Sequence, residues 1–119
     1  MKAFEFVTAK NARHALALLA EHGPSVKILA GGTDLLAEFK ATSHVPAVVI
    51  DISRAEDLKG VAITDQGLRI GALVTHTEIM RSSIVQEMFP ALVEAAHTIG
   101  AAQTRNLGTL GGNLVTGVP

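Results

Sequence analysis

The spacing of apolar residues changes character about midway along the chain. Ala3-Phe4-Glu5-Phe6-Val7 alternates and predicts a short strand. Ala12, Ala15, Leu16, Leu19 and Ala20 then recur at helical spacing, with Thr8 or Asn11 as a cap and Gly23-Pro24 as a stop. Val26 to Ala30 reads as a second strand. Residues 34–41 read as a second helix that buries Leu35, Leu36 and Phe39, and Ala47 to Ile52 is an unbroken apolar run of the kind found in a fully covered strand. This βαβαβ order predicts a three-stranded parallel sheet with right-handed crossovers, which takes ligands at the carboxyl ends of its strands.

The pattern after Ser53 is different. Val61-Ala62-Ile63-Thr64, a turn at Asp65-Gln66-Gly67, and Leu68-Arg69-Ile70-Gly71-Ala72 predict a hairpin. Thr75 caps a helix running to about Arg81, with Glu78 placed to complete a capping box. Pro90 starts another helix, whose stripe of Leu92, Val93, Ala96 and Ile99 ends near Gly100. The expected fold class is therefore α+β. A small three-stranded parallel βαβαβ lobe spans residues 1–55, and an incomplete lobe of mixed or antiparallel sheet with helices spans 56–119. Leu114 to Pro119 runs apolar without a cap or a charged ending, so it is expected to have little structure of its own and to mark a truncated chain.

Composition narrows the chemistry. With 119 residues and 48% hydrophobic content the chain is long and apolar enough to form a packed core. A net charge of −1, from ten basic and eleven acidic residues, gives no footprint for nucleic acid or an anionic membrane. Neither a membrane-length apolar run nor the apolar core of a signal peptide is visible, so the expected location is cytoplasmic. Zero cysteines remove thiolate catalysis, Cys-ligated zinc and Cys-ligated iron–sulfur clusters, and any such cluster must sit on another chain.

Two glycine pairs stand out, Gly31-Gly32 in Leu29-Ala30-Gly31-Gly32-Thr33-Asp34-Leu35-Leu36 and Gly111-Gly112 in Thr109-Leu110-Gly111-Gly112-Asn113. Adjacent glycines permit positive φ and close approach of an anion to main-chain N–H groups. The first pair lies where a strand gives way to a helix, whose unpaired amides and dipole favour an anion. Thr33 or Asp34 can equally serve as a plain helix cap there. The second pair, with Gly108 before it, lacks so clear a context and alone reads as a turn or bulge. Two such loops together suit the clamping of one pyrophosphate, in a cleft between the lobes.

No catalytic set accompanies them. His14, His22, His44, His76 and His97 are scattered without metal-ligand spacing and read as surface or helix-end residues. Asp51, Asp57 and Asp65 fall at strand ends or turns, where solvated or capping roles are ordinary. Neither loop matches the Rossmann or P-loop pattern. Catalytic and metal-ligating residues are thus expected to be none, with a bound cofactor carrying the chemistry.

These residues resemble a known family. Leu29 to Leu36 and Arg105 to Leu114, in that order, look like the two FAD signatures of the flavoprotein (medium) subunit of molybdenum hydroxylases, the xanthine dehydrogenase family. Arg69-Ile70-Gly71-Ala72 with Thr75 resembles the hairpin exit between them. The resemblance covers the whole chain and implies an electron-transfer subunit that holds FAD and passes electrons to NAD or another acceptor. Its partners would be a large subunit with a molybdenum pterin cofactor and a small subunit with iron–sulfur clusters. By match to the motifs, Leu29, Ala30, Gly31, Gly32, Thr33, Asp34, Leu35 and Leu36 would hold the pyrophosphate region. Thr109, Leu110, Gly111, Gly112 and Asn113 would hold the phosphate and flavin side, and Gly100 would lie near the cofactor. Ala72, Thr75 and Val115 match more weakly. The family pattern continues to an aspartate and a further domain not found here, which implies that residues 1–119 are its amino-terminal portion. Two other readings use the same glycines: a non-redox module binding a nucleotide or acyl carrier, and a purely structural domain.

Overall fold

The computed structural model describes residues 3–118, and these form two compact units that divide between Leu58 and Lys59. Each is treated by itself below.

In the first unit, β1 (Glu5–Thr8), β2 (Val26–Leu29) and β3 (Val48–Asp51) form a parallel sheet in the order β1-β3-β2. The unbroken apolar run becomes the central strand, and all four residues of β3 are buried. Helix α1 (Ala12–His22) carries the chain from β1 across β3 to β2, and α2 (Leu35–Ala41) carries it back to the centre. Right-handed crossovers made in opposite directions place the two helices on opposite faces of the sheet. Accordingly, Ala15 and Leu18 of α1 cluster with Val48 and Ile50, which share one face of β3. Phe39 of α2, 1% exposed, instead meets the Phe4 ring, with centroids 5.7 Å apart and planes tilted by 55°.

The ends of α1 follow the sequence closely. Asn11, not Thr8, is the cap: its side chain accepts from the His14 N–H at 2.7 Å. Gly23 takes φ 68° and closes the helix through its N–H to the Leu19 carbonyl. A second carboxylate reaches the same N-terminus from far away. Both oxygens of Asp57, in the short helical turn Glu56–Leu58, accept from the Ala12 N–H, at 3.2 and 3.1 Å. A capping contact of this kind stabilises by about 1 kcal/mol, and here it also ties the end of the unit to its first helix.

The second unit begins with the expected hairpin. Strands β4 (Val61–Thr64) and β5 (Gly67–Ile70) pair antiparallel around Asp65-Gln66, so Gly67 belongs to the strand and Ala72 lies outside it. Five helices follow: α3 (His76–Arg81), α4 (Ser83–Met88), α5 (Pro90–His97), α6 (Ala102–Leu107) and α7 (Leu110–Thr116). Thr75 caps α3 by accepting from the Glu78 N–H at 3.1 Å, and Pro90 opens α5, as the pattern predicts. Helices α4, α6 and α7 are not visible in the periodicity, because six- and seven-residue helices are too short to show a repeating stripe. The expectation that the chain loses structure from Leu114 is therefore corrected: Leu114, Val115 and Thr116 complete α7, closed by Gly117 at φ 65°. Pro119 lies outside the described residues. Val74, Ile79, Val85 and Ala96 form the core, with Val61, Leu68, Ile70, Leu92 and Leu110 packed on it.

Candidate functional site

Strand β2 ends at Leu29, on the carboxyl side of the parallel sheet, and the chain turns through Ala30-Gly31-Gly32-Thr33-Asp34 into α2. Gly32 adopts φ 74°, and a Cβ there would stand 3.0 Å from Leu29 Cδ1 and 3.1 Å from Leu36 Cδ1. Glycine is required at this position by the backbone and by the narrow space together.

The first helical bonds are Leu36 N–H to the Gly32 carbonyl, 3.1 Å, and Glu38 N–H to the Asp34 carbonyl, 2.9 Å. The amides of Gly31, Gly32, Thr33, Asp34 and Leu35 make no hydrogen bond to any described residue. Neither Thr33 nor Asp34 acts as a side-chain cap: Asp34 occupies the N-cap position in an αR conformation and makes no capping bond. That expectation is corrected, and the correction leaves the loop as a run of unanswered donors at a strand-to-helix turn, the arrangement that receives a phosphate or diphosphate.

The second glycine pair is built on a different principle. Gly111 and Gly112 lie inside the first turn of α7, and neither has a positive φ. The reading of this pair, taken alone, as a turn or bulge is thus corrected. Residues 108–111 run alongside residues 72–76: His76 N–H donates to the Gly108 carbonyl at 3.2 Å, Leu110 N–H to Val74 at 2.9 Å and Gly111 N–H to Ala72 at 2.9 Å. Thr75 and Thr109 are bridged antiparallel. Thr109 caps α7 by accepting from the Gly112 N–H at 3.0 Å. The amides of Leu110, Gly111 and Gly112 are therefore already engaged. What glycine supplies here is closeness, since a Cβ on Gly111 would stand 2.8 Å from both the Cβ and the carbonyl oxygen of Ala72.

One polar side chain in this segment was misjudged by sequence reasoning. His76, the first residue of α3, is 2% exposed, and its Nε2 has no hydrogen-bond partner. Its ring lies under Gly108, where a Cβ would come within 3.1 Å of Cδ2 and 3.3 Å of Nε2. Burial pushes the pKa of His76 below its ordinary value of 6.5, and the Asn113 side chain offsets part of that effect. No local pattern separates this histidine from the other four. Its burial comes from the absence of a side chain at Gly108, thirty-two positions on.

Gly100, φ 37°, forms a turn whose carbonyl, with that of Ile99, accepts from Arg105 Nη1 at 3.0 Å. Asp51, 8% exposed, accepts from the Ser53 N–H at 2.9 Å in a local turn. No cluster of three or more metal-ligating side chains occurs among the described residues, and no helix among them is long and apolar enough to cross a membrane.

Comparison with known proteins gives a consistent result. Residues 2–119 match the family described as the FAD binding domain in molybdopterin dehydrogenase. The chain is 40% identical over 117 residues to the nicotinate dehydrogenase FAD-subunit of Eubacterium barkeri, covering 98% of this chain and 40% of that protein. It is 39% identical over 116 residues to the carbon monoxide dehydrogenase medium chain of Hydrogenophaga pseudoflava, again 98% and 40%. The carbon monoxide dehydrogenase structure from the latter organism superposes with a TM-score of 0.92 at 38% identity, covering 95% of this chain and 39% of that one. Quinoline 2-oxidoreductase from Pseudomonas putida 86 gives 0.89 at 28% identity. The chain thus spans about two fifths of the length of the relatives it matches.

Two outcomes follow from the second segment. Gly111→Ala places a methyl group against Ala72 and lowers unfolding stability by about 1–3 kcal/mol in urea titrations, part of which Ala72→Gly restores. Because the pKa of His76 is lowered on folding, the unfolded chain binds a proton first as the pH falls. Stability is therefore full above about pH 6.5 and declines below it, and thermal melts across that range show a slope that His76→Gln removes.

Proposed function

Because the chain belongs to the family of FAD-binding domains of molybdopterin dehydrogenases, we propose that it forms the FAD-holding part of an electron-transfer flavoprotein. The observation that carries this reading is the run of unpaired amides from Gly31 to Leu35. A diphosphate needs several donors that are not already committed, and this run offers them without side-chain rearrangement. Leu29, Ala30 and Leu36 wall the loop, with Leu29 and Leu36 closing on Gly32. In the second unit Thr109, Leu110, Gly111, Gly112 and Asn113 belong to the proposed set of FAD-binding residues. There the small residues permit close approach and the Asn113 side chain supplies the polar group, since the amides of Leu110, Gly111 and Gly112 are engaged internally. Gly100 and, more weakly, Ala72, Thr75 and Val115 belong to the same proposed set.

FAD, when bound, supplies reversible one- and two-electron chemistry that no side chain of this chain provides. The chain's own part is to bind and orient. Electrons arrive from iron–sulfur clusters on a small partner subunit, which take them from a molybdenum pterin centre on a large one, and leave to NAD or another acceptor. With no cysteine among residues 1–119, any Cys-ligated cluster in this route lies outside them. The proposed location is cytoplasmic.

Thr33→Asp tests the reading. A carboxylate placed among the open amides satisfies them itself and repels the diphosphate, a like-charge juxtaposition that weakens binding tenfold or more. Flavin absorbance of the purified protein and FAD titration are expected to show that loss with the melting temperature unchanged or raised. FAD binding unaffected by the substitution, or no FAD bound by the unaltered protein, overturns the proposal.

A further inference from the structure

The first glycine loop presents main-chain donors, yet an acidic side chain stands among them. Asp34 supplies one of the unpaired amides, and its carboxylate is exposed and makes no hydrogen bond or ion pair with any described residue. It occupies the N-cap position of α2 in an αR conformation, φ -98° and ψ -46°, without capping the helix. The first turn of α2 adds a second exposed acid, Glu38, and the helix's lysine, Lys40, falls in its last turn. A carboxylate beside an anion site opposes the anion. Serine or asparagine would suit an N-cap position equally well and leave the donors unopposed, so the charge calls for a use of its own.

Covalent geometry fixes how near that charge stands. Whatever rotamer it takes, the Asp34 carboxylate lies within about 5 Å of its own amide nitrogen. A phosphate oxygen accepting from that amide at about 2.9 Å is then no more than about 8 Å from the carboxylate, one Debye length at physiological ionic strength. At that separation, in a water-like dielectric, each negative charge on a ligand lowers affinity about twofold. Resting on the FAD reading above, we propose that Asp34 is a specificity-determining residue that sets the charge of the diphosphate the loop accepts. It admits the diester bridge of a dinucleotide and works against the terminal phosphates of nucleoside di- and triphosphates. Each phosphorus of a diester bridge carries about one charge, whereas a terminal phosphate carries about 1.5–2 near neutral pH. The unpaired amides attract all of these ligands, and the carboxylate supplies the difference between them.

The test compares the unaltered protein with Asp34→Asn, which keeps the side chain's size and its suitability for an N-cap, so the melting temperature stays within a few degrees. FAD, ADP and ATP are titrated calorimetrically in buffer free of divalent cations, at low and at high salt. Removing the charge is expected to raise affinity in the order of ligand charge, about fivefold for FAD, tenfold for ADP and twentyfold for ATP, with the spread shrinking at high salt. A gain that is equal for all three ligands, or no gain, overturns the proposal. So does a loss of FAD affinity, which would make the carboxylate an acceptor for a cofactor hydroxyl. If the unaltered protein binds no FAD, it is the functional reading that has failed instead.

Discussion

A backbone amide that leaves a strand and has not yet entered a helix has no partner in either, and the first glycine loop consists of such amides. Gly31 to Leu35 sit after the last ladder bond of β2 and before the first helical bond of α2, which begins only at Leu36. Water satisfies these groups in the free chain, and an anion satisfies them better. The rest of the first unit serves to hold that loop in place. The covered central strand β3, the helices packed on opposite faces, and the Asp57 contact with the start of α1 all fix the sheet whose carboxyl end presents the loop.

The second unit solves a different problem with the same residue type. Gly108 and Gly111 are empty places against which His76 and Ala72 are packed, closely at Gly108 and, at Gly111, at a separation that real Cβ atoms essentially never show. Here the amides bind the unit's own carbonyls and the Thr109 hydroxyl. Glycine pairs that look alike in sequence thus differ in physical role: one frees donors, the other permits contact. The capping by Thr109, Thr75 and Ser82 keeps short helices that have little intrinsic stability in register around the core of Val74, Ile79, Val85 and Ala96.

Much of the fold was legible. Long periodic segments such as Ala12 to Ala20, the unbroken run before Asp51, and the hairpin at Thr64 and Gly67 declare themselves through local rules. The first loop was legible as a donor site, though its helix proved to start without a side-chain cap at Thr33 or Asp34. Helices α4, α6 and α7 were not, since a six- or seven-residue helix leaves no stripe, and their stability comes from capping and tertiary contact. His76 escaped notice for a related reason. Its environment is made by a residue far along the chain, and no spacing rule connects a histidine to a missing side chain. Asp57 shows the same limit in milder form, as a capping residue whose helix lies 45 positions before it.

The most direct measurement is amide hydrogen exchange resolved over residues 30–36, with and without FAD. The account predicts rapid exchange of the Gly31 to Leu35 amides in the free protein and marked slowing when FAD is added, larger than any change at the amides of Leu110, Gly111 and Gly112, which already have partners. Amides in the first loop that are protected before FAD is added, or that stay unprotected after it binds, would contradict the claim that this loop is the anion cradle.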